Sequence, residues 1–406
     1  MRVPERSLLD SYAQVLVEAG LNGGAGMKPG AVTILHVPEA AQPFLEPLHQ
    51  AVLAAGGQPL VHYIPSGLTR NLLEHGSLEQ ISWQPEQMIR ARISEADHRI
   101  YIIAEDNPTE LQHIAVEKRA ARNQILTVSR SCIDAKEALG AFNETYGLYG
   151  TAAMAREAKL TKTEYWDQIA KACFLYDTNP VQRNREAQQH ICTIRDWLTD
   201  LQMDSVHIEA QDTDITIGIG SNRKWLGGRG TNIPSFEVFV SPDYRRIDGR
   251  MRFNQPLYYQ GGRIQDIQLT FKDGIVSQAE AKVGAPMLEA LLAIPGANRL
   301  GEFSLTDSRI SKIERFMGTT LFDENTGGHW EKGVFKPTGN THIALGSSFP
   351  ESYKGTEQRS QAELDALGFN FAKTHVDIVS TLDRVVTASL RNGKTVVIYK
   401  DGKFTV

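Results

Sequence analysis

The first 130 residues alternate short apolar runs with helix-length stretches, and few folds accommodate that alternation. Ala31-Val32-Thr33-Ile34-Leu35-His36-Val37 reads as a buried strand, followed by a helix over roughly 39–55. Pro59-Leu60-Val61-His62-Tyr63-Ile64 is the next strand and Arg99-Ile100-Tyr101-Ile102-Ile103-Ala104 another, with a helix near 108–122 leading to a further strand, Ile125-Leu126-Thr127-Val128. Parallel neighbours need a crossover long enough to hold a helix, so this order predicts a mostly parallel sheet with helices on its faces. The glycine-rich run over 22–30 precedes a strand instead of following one. That is the wrong order for a phosphate cradle, and the run reads as a loop.

Helical signals dominate 148–203. Thr161-Lys162-Thr163-Glu164 has the form of a capping box, and Trp166, Ile169, Ala170 and Cys173 follow at helical spacing. From about 205 the period changes to two, as in Asp214-Ile215-Thr216-Ile217-Gly218-Ile219 and Gln265-Asp266-Ile267-Gln268-Leu269-Thr270-Phe271. Lys272-Asp273-Gly274-Ile275 and Lys400-Asp401-Gly402-Lys403 carry the Asp-Gly signal of tight hairpins. The expected fold class is α/β: an N-terminal doubly wound α/β domain over 1–147, a helical connecting region over 148–203, and a β-rich α+β domain over 204–406.

Composition narrows the partners. A net charge of −5 without a long run of Lys or Arg gives no support to nucleic-acid binding. Three scattered cysteines (Cys132, Cys173, Cys192) make neither a disulfide framework nor a thiolate zinc site, and fit a reducing cytoplasm. The N-terminus lacks the apolar core of a signal peptide, and no stretch approaches the roughly 20 apolar residues of a membrane span. The expectation is a cytoplasmic protein with no membrane partner.

The candidate chemistry sits in the last third of the chain. Glu237, Glu302, Glu324, His342, His375 and Asp377 are all potential metal ligands, and carboxylates with imidazoles at this density describe a divalent-metal site. In Thr374-His375-Val376-Asp377-Ile378 the His and Asp are two apart, hence on one face of a strand. Glu237 and Glu302 each stand among apolar neighbours on expected strands, where a carboxylate is costly to bury unless paired or metal-bound.

Five ordered motifs then carry a resemblance: Ile233-Pro234-Ser235-Phe236-Glu237-Val238-Phe239, Leu300-Gly301-Glu302, Leu321-Phe322-Asp323-Glu324-Asn325, His342-Ile343-Ala344-Leu345-Gly346 and His375-Val376-Asp377. Together with Trp225-Leu226, Gly230 and Asn232-Ile233-Pro234, they resemble the dimetal aminopeptidases of the aminopeptidase T and aminopeptidase S type over nearly the whole chain. The resemblance implies two divalent ions (zinc, cobalt, manganese or magnesium) held by Glu237, Glu302, Glu324, His342, His375 and Asp377. It also implies Glu237 as general base, peptide substrates with a free N-terminus, and commonly a homodimer.

Two features depart from that family's pattern. An insertion over about 326–340 brings a second histidine, His329, ahead of His342; the Thr-His-Ile-Ala-Leu-Gly context favours His342 as ligand. Seven residues after His342, where the family usually has a tyrosine, this chain has Phe349, and Tyr353 is the nearest candidate to supply the missing hydroxyl. The alternative reading is a 2,5-dihydroxypyridine-type dioxygenase, in which His342, His375 and Asp377 alone form a two-His-one-carboxylate iron triad. A catalytically silent metal-binding protein is the third.

Overall fold

A computed structural model describes residues 4–107, 110–111, 113–123, 126–259 and 262–406. They form two compact units, Met1–Glu186 with Arg229–Pro234, and Ala187–Gly228 with Ser235–Val406.

Among the described residues, the first unit holds a four-stranded sheet in the spatial order Gln58–Ile64, Val32–Pro38, His98–Ile103, Asn143–Leu148, all parallel. The chain steps outward from Val32–Pro38 in one direction and then crosses back in the other. With crossovers of one hand, that reversal puts helices on both faces, the doubly wound arrangement. One face packs Ile34 with Ile93 of helix Glu86–Glu95 and Ile133 of helix Leu126–Ala138. The helices Arg6–Glu18 and Gln42–Ala54 meet through Tyr12 and Phe44, stacked at 5.2 Å.

The expected strand over 125–128 is corrected to the first turn of Leu126–Ala138, residue 125 lying outside the described residues. Arg130 pairs one turn on with Asp134 and two turns on with Glu137, and Ile133 is buried, so the longer helical pattern prevails over four strand-like residues. The fourth strand is instead Asn143–Leu148, whose buried Glu144 is held by Arg99 and Arg130. The helix expected near 108–122 is described from Val116 to Asn123, with residues 108, 109 and 112 outside the described set.

Helices Ala152–Glu157, Lys162–Ala172 and Pro180–Asp200 follow. Thr161 closes the expected capping box: Glu164 N donates to Thr161 Oγ1 at 3.2 Å, and Thr161 N to Glu164 Oε2 at 2.7 Å. Trp166, Ile169, Ala170 and Cys173 form the buried face of that helix and its cap.

In the second unit the described residues form a nine-stranded antiparallel sheet and a separate four-stranded one. Asp273 and Gly274 both take positive φ (49° and 77°) in the hairpin joining Gly262–Lys272 to Ile275–Val283, the conformation the Asp-Gly pair favours. The smaller sheet runs, in spatial order, His375–Ser380, Asn340–Gly346, Leu300–Thr306, Glu237–Val240. The insertion forms a short hairpin, His329–Glu331 with Val334–Lys336. Among the described residues, no helix is long and apolar enough to cross a membrane.

Candidate metal centre

The small antiparallel sheet is chemically two-faced. Opposed residues in such a sheet share a face, and successive residues alternate. Thr306 opposes Glu237, Ser304 opposes both Phe239 and His342, Ala344 opposes Glu302 and Asp377, and Gly346 opposes His375. Glu237, Glu302, His342, His375 and Asp377 therefore project from one face. Val238, Phe303, Leu305, Ile343 and Ile378 alternate onto the other and are all buried. The strands Leu300–Thr306 and Asn340–Gly346 are buried along their whole length, polar positions included.

Those five side chains converge in two triads, Glu237–Glu302–His342 and Glu302–His375–Asp377, with the ligand atoms of each triad within 4.8 Å of one another. Glu302 belongs to both. Its Oε1 lies 3.4 Å from His342 Nε2 and its Oε2 lies 3.1 Å from His375 Nε2. His342 Nε2 is also 3.1 Å from Glu237 Oε2, which accepts from Ser304 Oγ at 3.3 Å. His375 Nδ1 donates to the Ser347 carbonyl at 2.8 Å, which fixes the ring and turns Nε2 toward the acids.

Glu324 follows the short helix Thr320–Asp323. Its carbonyl accepts from Thr306 Oγ1 (3.2 Å) and Asn340 Nδ2 (2.8 Å), two side chains on the ligand face. Asp323 anchors the same segment, accepting from Met317 N at 2.7 Å and Thr319 N at 2.8 Å. Asn325 Oδ1 accepts from Phe236 N at 2.5 Å, beside Glu237. Sequence reasoning gave Asp323, Asn325 and Asn340 no role; the only available signal was a run of short polar residues flanking candidate ligands.

The electrostatics fit a cation. Burial, then the charges of Glu302 and Asp377, push the Glu237 carboxyl up. Burial and Glu237 push that of Glu324 up much further. Burial would raise Glu302 too, but hydrogen bonds from His342 and His375 bring it down to about 2. Burial opposes charge on both imidazoles, yet the surrounding acids raise both well above the usual histidine range. Asp377 Oδ1 is buried, and its neighbour His375 Nε2, at 3.4 Å, falls short of a formed hydrogen bond. Buried acids that outnumber their imidazole partners, one with an unsatisfied oxygen, form a donor set suited to divalent metal.

A β-bulge at Gly301 shifts the register just before Glu302. A Cβ there would lie 2.2 Å from the Ser347 carbonyl oxygen and 2.5 Å from that of Gly346. Gly301→Ala is thus expected to move Glu302 and His375 together and to lower kcat by about 10²-fold, as for an ångström-scale displacement of a reacting group. Steady-state kinetics with circular dichroism on the variant checks this.

Of the two histidines weighed for the ligand position, His342 faces the acids. His329 instead approaches the Thr381 carbonyl through Nδ1, at 2.9 Å, in the inserted hairpin. The Tyr353 hydroxyl accepts from Arg359 Nε at 3.3 Å, and among the described residues no hydrogen bond joins it to the triads. Phe349 does border them: its ring meets His375 edge-on at 4.9 Å and Phe239 at 5.2 Å.

Residues 5–404 match the family described as thermophilic metalloprotease (M29). The chain belongs to that family. Among curated M29 relatives, it is 26% identical to aminopeptidase 2 of Geobacillus stearothermophilus, covering 98% of this chain and 97% of the relative. It is also 26% identical to aminopeptidase PepS of Streptococcus thermophilus, covering 98% of each. The solved structure of wild-type AmpT from Thermus thermophilus superposes with a TM-score of 0.81 at 22% identity, over 98% of this chain and 99% of that one, a likeness of fold. Metalloprotease membership implies a divalent metal. It gives the dioxygenase alternative no support, and Glu237 and Glu302 stand within reach of His342 and His375, more carboxylates than a two-His-one-carboxylate triad needs.

Proposed function

We propose that this M29 protein is a metallo-aminopeptidase that uses two divalent ions to release the N-terminal residue of peptides with a free amino terminus. The observation carrying this reading is Glu302, which presents one oxygen to each triad, as a carboxylate shared between two ions does. Glu237, Glu302, Glu324, His342, His375 and Asp377 are the ligands of this reading. Ions bound there supply Lewis acidity and lower the pKa of water toward neutrality.

The protein's own groups do the rest. Ser304 donates to Glu237 Oε2, the oxygen that also faces His342 and would hold metal, and Oε1 would take a proton from the attacking water and return it to the leaving amine. The substrate's free α-amine would be a ligand to one of the ions, one that a blocked terminus does not offer. Phe239 and Phe349, in contact and partly exposed beside His375, form an apolar wall for the side chain of the released residue. Tyr353, the candidate oxyanion donor, accepts from Arg359 Nε and keeps its own O–H free to donate. Zinc, cobalt, manganese and magnesium all accept carboxylates, and the first three suit imidazole as well.

We further assign a homodimer in the cytoplasm. Gln58–Ile64 is an edge strand with Leu60, Val61 and Tyr63 exposed, an unusual state for a parallel strand and one that a second copy would cover. The three cysteines are unpaired, in keeping with a reducing compartment.

Elemental analysis, hydrolysis of leucyl and arginyl chromogenic amides, and light-scattering mass test this reading. Near two divalent ions per chain, metal-dependent release with leucyl preferred, and a mass of two chains are expected. One iron per chain with no amide hydrolysis would sink the peptidase.

A further inference from the structure

A second polar cluster, in the first unit, lies outside the metal chemistry. His36 pairs with His62 on one neighbouring strand and with Tyr101 on the other, and Tyr101 pairs with Tyr146. Opposed residues of parallel strands share a face, so the four rings form one row across the sheet. His36 stacks on Tyr101 at 4.0 Å, meets His62 edge-on at 4.8 Å, and Tyr101 lies 5.3 Å from Tyr146. The row occupies the C-terminal half of the strands. It spans the junction between Val32–Pro38 and His98–Ile103, where the direction of winding reverses. Open parallel sheets present their ligand crevice at that point.

The row is only partly covered, so its polar atoms are open to a ligand from outside. Here the side chains of His36 and His62, the Tyr101 hydroxyl and the Arg92 guanidinium make no hydrogen bond or ion pair among the described residues. Arg99 donates through one terminal nitrogen to Glu144 and Tyr146, but its Nε is buried without a partner. The local field is positive. Burial, His62, Arg99 and Arg92 bring His36 down to about 3, and burial with Arg92 and Arg99 brings His62 down to about 4. Arg92 is itself lowered by burial and by Arg99. Of the nearby acids, Glu144 is engaged by Arg99 and Arg130. Glu105, at the end of its strand, has its carboxyl raised by burial and by Asp106 and Glu110.

We propose that this row is a binding site for a phosphate group, to whose oxygens Arg92, Arg99 Nε, the two imidazoles and the Tyr101 hydroxyl donate. Two guanidiniums repel a metal ion, which the paired imidazoles would otherwise suit. The donors outnumber what a single carboxylate takes, and Arg92, with Arg99 shared between Glu144 and the ligand, supplies the positive charge a phosphate needs. The ring row gives a flat apolar flank to any planar group esterified to it.

The test is nuclear magnetic resonance of the histidine ring protons in the full metal-loaded chain, titrated with inorganic phosphate, phenyl phosphate and acetate. Reading the His36 and His62 resonances keeps phosphate taken up at the metal centre from registering. Saturable movement of both, with phosphate favoured over acetate by at least about tenfold, is expected. Tighter binding of phenyl phosphate than of inorganic phosphate would identify an ester as the source, and equal binding free phosphate. Arg92→Gln should weaken binding by about tenfold or more while leaving the thermal midpoint unchanged or higher, since it removes an unpartnered cation. Arg92→Lys should retain part of the affinity, and His62→Gln gives an independent loss. Resonances indifferent to phosphate, movement unaltered by Arg92→Gln, or a response to zinc alone would overturn the proposal.

Discussion

Glu302→Gln is expected to lower kcat on a leucyl amide by about 10²–10³-fold and to drop metal content below two ions per chain. The amide keeps the volume and one acceptor oxygen of the carboxylate, so the side chain still fits between His342 and His375. What it loses is a charged oxygen facing one of the triads. A Lewis acid contributes several kcal/mol of charge stabilisation, and about 1.4 kcal/mol is a factor of ten in rate. The fold should lose some stability without unfolding, because the Glu302 carboxylate is held ionised by His342 and His375 and its amide keeps only part of those hydrogen bonds. Circular dichroism and elemental analysis of the variant separate this outcome from unfolding. A variant that keeps two ions and full activity would remove Glu302 from its bridging role.

Phe349→Tyr is expected to act in the opposite direction, raising kcat with little change in KM. The phenyl ring sits edge-on to His375 and is partly exposed, so a para hydroxyl adds a donor at the margin of the ligand cluster without overfilling a core. Removing one oxyanion donor costs on the order of 10²–10³-fold in other hydrolases, and the gain from adding one is bounded by the same figure. A rise of at least about tenfold would show that the wild-type chain lacks this donor. An unchanged kcat would mean that another group already serves the oxyanion.

How much of this was legible depended on where the information resided. The parallel sheet was readable from Val32–Pro38, Gln58–Ile64 and His98–Ile103, because their apolar runs are continuous. Asn143–Leu148 escaped because its Glu144 looks like a loop residue until Arg99 and Arg130 are seen to neutralise it. Residues 126–128 were misread because Leu126, Thr127 and Val128 favour a strand locally, while the pairs that make the helix begin at Arg130. The proposed ligands can be picked out of the motif strings, but the position of Glu302 between the two triads cannot. That depends on cross-strand register and on the bulge at Gly301, neither of which any short segment encodes. The unsatisfied row of His36, His62 and Tyr101 was hidden for the same reason: its members lie on three strands, and each alone resembles an ordinary strand residue.

The two-faced small sheet has a consequence for how the protein matures. The proposed ligands on it come from strands spread between Glu237 and Ser380, and they meet in full only if every strand zips in the correct frame. A one-residue slip of Leu300–Thr306 would drive Glu302 and Ser304 into the oily layer beside Val238 and Ile343, and turn Phe303 and Leu305 toward the imidazoles. A sheet slipped in that strand loses the one carboxylate common to both triads, and with it much of its grip on a cation. Metallation becomes a proofreading step, since the ion locks in only those chains that have already paired correctly.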